Sequence, residues 1–153
     1  MKNSLSISVL LLLSLSILAL AQTPATVRER YGPPDEKGRY AVRDGITLEA
    51  TFGPEGYPLA MSIKPIDSSP VTGAARKVRA NPKTMDKNAA LEILEELVPS
   101  NTRGKETASF SESHGCTSIH HKTHERIIIS IVNRCEAQGG GTYAVHIQWR
   151  QRP

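Results

Sequence analysis

Alternation of apolar and polar residues is the strongest constraint on how this chain folds. In Ile46–Phe52 the apolar side chains occupy every second position and share one face, while two threonines and a glutamate occupy the other. The segments 59–63, 126–133 and 142–149 alternate in the same way. A period of two residues predicts half-buried β-strands. The Gly-Pro turn at 53–56 predicts that the first two strands form a hairpin.

One amphipathic helix is predicted between the two pairs of strands. From Asp86 to Val98 apolar residues recur on one stripe, while Lys87 and the glutamates point away from it. Pro99 ends the pattern. Including a short strand at 40–42, the chain predicts an α+β fold. We expect an antiparallel sheet of about four to five strands with one main helix packed on one face, in the order β-β-α-β-β.

The first 21 residues have the composition of a secretory signal peptide. Lys2 is the only charge before Arg28, an apolar run follows it, and Ala19-Leu20-Ala21 offers a cleavage site before Gln22. Cleavage there leaves residues 22–153 as a single small α+β domain, a size that supports one core. No later segment reaches the roughly 18–20 apolar residues of a membrane helix. We therefore expect an exported protein, periplasmic or extracellular, with no transmembrane segment after the signal peptide.

The charge pattern argues against nucleic acid as a partner. The formal net charge is +4 and aromatic residues make up 5% of the chain, whereas nucleic-acid-binding surfaces combine a dense basic stripe with aromatic side chains. Four basic residues do lie in one segment without an acid: Arg76, Lys77, Arg79 and Lys83. They form either a solvated loop or a basic loop that meets phospholipid, cell-wall polymer or an acidic protein.

The chain has two cysteines, Cys116 and Cys135. In an oxidising compartment a lone pair of thiols predicts a disulfide. Because an extended strand at 126–133 precedes Cys135, the bond requires the chain that follows Cys116 to run back alongside that strand. A hairpin that turns near His124-Glu125-Arg126 does this, since the two cysteines are nearly equidistant from the turn. We therefore expect one intramolecular disulfide that closes the far end of this hairpin.

Four histidines near the first cysteine are the one suggestive group of chemically active side chains. His114, His120, His121 and His124 lie within eleven positions, and imidazole binds Zn²⁺ and Cu²⁺ well. If 118–124 is extended, His120 and His124 project to the same side. These two and His114 are therefore a candidate metal set, although their spacing matches no established zinc signature. The competing interpretation is exposed imidazoles and no cofactor.

The sequence contains no complete catalytic constellation. Cys116 beside His114 or His120 would form a thiolate–imidazolium pair, but a disulfide with Cys135 leaves no thiol. The triple glycine at 139–141 lacks the lysine and the helix that a phosphate-binding loop requires. We therefore expect no enzymatic activity.

Four turn and core motifs connect this chain with other proteins. They are Tyr31-Gly32-Pro33-Pro34-Asp35, Phe52-Gly53-Pro54-Glu55-Gly56, Glu95-Glu96-Leu97-Val98-Pro99 and Ile147-Gln148-Trp149-Arg150. In these motifs the chain resembles a group of small exported bacterial proteins with no assigned activity, over most of the mature length. The resemblance implies a shared fold and export and carries over no catalytic residue. A short helix followed by a Gly-Pro turn and strands is also similar to small outer-membrane-associated assembly modules.

Export without a catalytic set favours a non-enzymatic binding or structural module of the cell envelope or exterior. Its partner would be an unidentified envelope or extracellular component. The alternative is a metal-binding protein that holds Zn²⁺ or Cu²⁺ through the cluster from His114 to His124.

Overall fold

Seven strands and two α-helices make up the fold of the residues that the structure describes. The computed structural model describes residues 22–66 and 83–150, so the predicted signal peptide and cleavage site lie outside the described residues or at their boundary. The elements are α1 Pro24–Tyr31, β1 Arg39–Arg43, β2 Ile46–Phe52, β3 Pro58–Pro65, α2 Lys87–Leu97, β4 Glu106–His114, β5 Thr117–His124, β6 Ile127–Arg134 and β7 Thr142–Trp149. Two 3₁₀ turns, Ser100–Thr102 and Glu136–Gln138, lie in the connections.

The strands form one sheet in the order β1-β2-β3-β7-β6-β5-β4, and every neighbouring pair is antiparallel. Two meanders, β1–β3 and β4–β7, meet where β3 pairs with β7 in the middle of the sheet. Strands β1 and β4 are therefore the two edges. Helix α2 follows the first meander in sequence and contacts the central strands β3 and β7, while α1 contacts β1.

Helix α2 forms where the sequence predicts it. The carboxylate of Asp86 accepts hydrogen bonds from the backbone N–H groups of Asn88 (2.9 Å) and Ala89 (3.0 Å), which caps the first turn. Its apolar stripe is buried against the sheet. The sheet contributes a layer of side chains, each no more than 2% exposed: Leu48, Met61, Ile63, Ile127, Ile129, Val145 and Ile147.

Helix α1 packs beside the end of α2. Thr23 and Thr26 cap its first turn reciprocally, and Val27 is fully buried in the core. The side-chain amide of Gln22 donates a buried hydrogen bond of 2.9 Å to the carbonyl of Leu97. That bond satisfies one of the carbonyl groups that a helix C-terminus leaves free, so it ties the start of α1 to the end of α2.

The predicted four- to five-stranded sheet with one main helix, in the order β-β-α-β-β, is wrong. Within residues 22–66 and 83–150 the structure has seven strands and two short helices. The largest omission is β4, which is exposed at all nine positions and consists mainly of Thr, Ser and Glu. An edge strand that buries neither face carries no apolar period, so periodicity could not reveal it. Strand β5 contains a single aliphatic residue, Ile119, and gives a similarly weak signal.

The predicted disulfide is present, and the hairpin that it requires is confirmed. Strands β5 and β6 pair in register around a turn at Glu125 and Arg126. Cys116 and Cys135 are bonded at the opposite end of this hairpin, with their Cα atoms 5.2 Å apart. The backbone N–H of Cys135 also donates to the Cys116 carbonyl at 3.0 Å. The covalent bond therefore continues the β5–β6 ladder by one further pair.

Candidate functional site

The two faces of the sheet differ because both described helices pack on the same one. We call the other face the open face. Successive side chains of a strand alternate between faces, so the register assigns each residue to one of them. A line across the open face consists of Phe110, His121, Ser130, His146, Ser62 and Glu49. Each member stands directly opposite the next on the neighbouring strand, from β4 at the edge to β2.

Serines orient two imidazoles in this line. The Ser62 hydroxyl lies 2.9 Å from Nδ1 of His146, and the Ser130 hydroxyl lies 2.9 Å from Nδ1 of His121. Directly opposite residues on antiparallel strands have Cβ atoms about 4.5–5.5 Å apart, a spacing that a short hydroxyl and a flat ring can bridge. Both rings are therefore held by a neighbouring strand.

His121 has two further partners on the open face. Its Nε2 lies 3.3 Å from a carboxylate oxygen of Glu112, and its ring stacks on Phe110 with centroids 4.6 Å apart. Because an ionised carboxylate only accepts hydrogen bonds, Nε2–H donates to Glu112, and in the neutral ring Nδ1 then accepts from Ser130. The pKa of Glu112 is lowered, chiefly by the hydrogen bond from His121, with His114 acting in the same direction.

The connectivity of Ser130, His121 and Glu112 is that of a serine–histidine–acid relay. Acyl transfer also needs N–H donors directed at the developing oxyanion. Ser130 lies on β6, an inner strand whose backbone pairs with β5 on one side and β7 on the other. The neighbouring N–H groups are therefore committed to the ladders, and we interpret the relay as a support for the imidazole and not as a nucleophile.

His146 occupies a different electrostatic setting. Its pKa is held below the ordinary histidine value, first by desolvation of the ring and second by the positive charge of Lys64, while Glu49 acts in the opposite direction. Lys64 and Glu49 form an ion pair of 2.7 Å beside the ring. The neutral form of His146 is thus favoured in the folded protein.

Replacing His146 with glutamine should reduce the loss of stability on mild acidification. The pKa of His146 in the folded protein lies below its reference value of 6.5, so the unfolded chain takes up this proton first as the pH falls. The stability that the neutral ring of His146 contributes is therefore fully present above that reference pKa. It is lost as the pH falls through the pKa of His146 in the folded protein. Urea unfolding of the wild type and His146→Gln at about pH 7.5 and about pH 5.5 measures this difference. An equal loss in both proteins would contradict the assignment.

The structure does not bring the predicted metal set together. His120 and His124 lie four positions apart on β5, which separates them by about 13 Å. His120 is on the helix side and hydrogen-bonds Ser111 at 2.6 Å, while His114 is on the open face near Glu112. His124 is buried, with Nδ1 3.3 Å from the Gly104 carbonyl.

Across residues 22–66 and 83–150, no three His, Cys, Asp or Glu side chains are grouped so that they could hold a metal ion. Cys116, as half of a disulfide, is no thiolate ligand either. A shared site for His114, His120 and His124 therefore has no geometric support.

Three members of the predicted basic loop, Arg76, Lys77 and Arg79, lie outside the described residues. The fourth, Lys83, is exposed and borders a cavity of about 1000 Å³ between the β1–β2 turn and the start of α2. Asp44, Asp86 and Glu92 also line this cavity, so Lys83 stands among carboxylates on the part of the chain that the structure describes.

The sequence marks the histidine-rich segment but not the line on the open face. Ser62 and His146 are 84 positions apart in sequence, so no local motif marks them. The one available signal was alternation, which places His121 and His120 on opposite faces of β5.

No protein-family model, curated protein or solved structure matches this chain. The resemblance to small exported bacterial proteins therefore stays a prediction. Neither α1 nor α2, the α-helices of the described ranges, has the length and hydrophobicity to cross a membrane.

Proposed function

We propose that this protein is an exported, non-enzymatic binding module of the cell envelope or exterior, and that it contacts its partner through the open face. The observation that carries the proposal is the line from Phe110 to Glu49. It spans six strands of a sheet face that no described helix covers. Sheet faces of this kind offer a broad contact area on a rigid scaffold.

The fixed positions of the side chains along the line support a binding role. Side chains that are already fixed lose less conformational entropy when a partner binds. His146 and His121 are each held by a serine hydroxyl, and Lys64 is paired with Glu49. The open face therefore presents donors, acceptors and both charges in positions set by the sheet.

Phe110 adds an apolar contact at the end of the line. Its side chain is 56% exposed and lies on the His121 ring. Aromatic side chains are enriched in protein interfaces. A partner that covers this end of the face would gain apolar burial as well as hydrogen bonds.

Two observations support the exported location. The N-terminal 21 residues have the charge, apolar run and small-residue exit of a signal peptide. The Cys116–Cys135 bond is of a kind that persists in oxidising compartments and is rare in the cytosol. An intact-mass measurement on protein recovered from outside the cytoplasm tests the predicted cleavage before Gln22.

Photo-cross-linking in the native host tests the binding face. A benzophenone amino acid replaces Gln148, which is exposed on the open face, or Glu92, which is exposed on α2 as the matched control. We expect irradiation to give a discrete adduct with an envelope component from position 148 and none from position 92. Adducts from position 92 alone, or none from either position, would contradict the proposal.

A further inference from the structure

The two edge strands of the sheet, β1 and β4, differ in how well they are protected against pairing with another strand. Natural sheets protect their edges with short strands, bulges, charges and covering elements. Strand β1 has all of these: it has five residues, a bulge between Ala41 and Arg43, arginine at both ends, and α1 in contact with it. Strand β4 has nine residues and is exposed throughout; it carries two glutamates but no lysine or proline. Its one irregularity lies between Glu106 and Ala108.

The hairpin that joins β4 to β5 shows which backbone groups of β4 face outward. His114 pairs with Thr117 across the two-residue loop Gly115-Cys116. Residues that flank a two-residue loop form a hydrogen-bonded pair, and such pairs alternate along an antiparallel ladder. Even-numbered residues of 108–114 therefore direct their N–H and C=O groups to β5. The outward-facing groups belong to Ser109, Ser111 and Ser113.

We propose that β4 pairs antiparallel with β4 of a second copy, about a two-fold axis at Phe110. The strand runs from 106 to 114, so its midpoint is residue 110. In this register Ser109 faces Ser111 of the second copy, and each pair exchanges both backbone hydrogen bonds. A two-fold interface uses the same surface on both partners, and the two sheets become continuous.

The side chains of β4 favour a second copy in this register. Phe110 meets its own counterpart in a non-hydrogen-bonded pair, where side chains are closest. Glu112 lies opposite Ala108 and not opposite an acid. Glu106 lies opposite His114 of the second copy, so a carboxylate meets an imidazole at both ends of the paired strands. The most exposed large apolar side chain described, Phe110, is then partly covered by its counterpart.

Sedimentation of the intact, disulfide-bonded protein tests the association. The wild type should sediment with twice the monomer mass. Ser109→Pro removes an outward N–H while leaving the β4–β5 bonds in place, as proline at an edge allows, and should weaken the dimer about ten-fold or more. Ser109→Ala, which keeps the N–H, should dimerise like the wild type.

A single cysteine tests the register. Phe110→Cys should form a disulfide-linked dimer on mild oxidation, because the Cα atoms of a central non-hydrogen-bonded pair lie about 4.5 Å apart. Ser113→Cys is the control, since its two copies would lie about 20 Å apart. A monomeric wild type, or cross-linking as strong at 113 as at 110, would overturn the proposal. The proposal would also be overturned if the protein is a monomer and its β4 amides are protected from hydrogen exchange only when a peptide strand is added. That result would mean that the edge binds a foreign strand.

Discussion

Replacing Leu94 with alanine should lower the free energy of unfolding by about 2–5 kcal/mol. Leu94 is 3% exposed and lies in the stripe through which α2 packs on the sheet. Its removal leaves a cavity between the helix and the central strands, and the surrounding side chains can only partly fill it. Urea unfolding followed by circular dichroism measures the change.

Glu92→Ala is the matched control for this prediction. Glu92 lies on the exposed side of the same helix, where substitutions usually change stability by no more than about 0.5 kcal/mol. Equal effects at 92 and 94 would mean that the packed side of α2 is misassigned.

Replacing both cysteines with serine should lower the free energy of unfolding by about 3 kcal/mol. Cys116 and Cys135 are 19 positions apart, and cross-linking a loop of this length restricts the unfolded chain. The β5–β6 hairpin that they close has few buried positions, one in β5 and two in β6. The double variant should therefore unfold at a lower urea concentration than the oxidised wild type.

Reduction of the wild type provides the control. A reductant should shift the wild-type transition toward that of the double variant and leave the variant itself unchanged. Two titratable thiols in unreduced protein, or identical stability of wild type and variant, would contradict the bond's stabilising role.

Elements that bury one face could be predicted from the sequence. Strands β2, β3, β6 and β7 and helix α2 each place apolar residues at a constant period because a single core demands it. Strand β4 buries neither face, so it needs no apolar residues at a constant period. It forms because β5 provides a partner for its backbone, and backbone pairing does not require particular side chains.

The candidate site depends on register, which is a property of several strands at once. Clustering in sequence suggested that His114, His120 and His124 act together, but the extended chain spreads them along two strands and over both faces. The serines that hold His121 and His146 come from β6 and β3. A one-residue slip in either pairing would move these partners to opposite faces, so local patterns could not identify them.

Histidine modification in the native envelope tests most directly whether the open face is the binding surface. His146 and His120 are both exposed, on the open face and on the helix side respectively. Diethylpyrocarbonate labelling is compared between purified protein and protein in intact cell envelopes, with each site read by mass spectrometry. We expect His146 to be protected in the envelope and His120 to react equally in both samples. Protection of His120 with full reactivity at His146 would contradict the account.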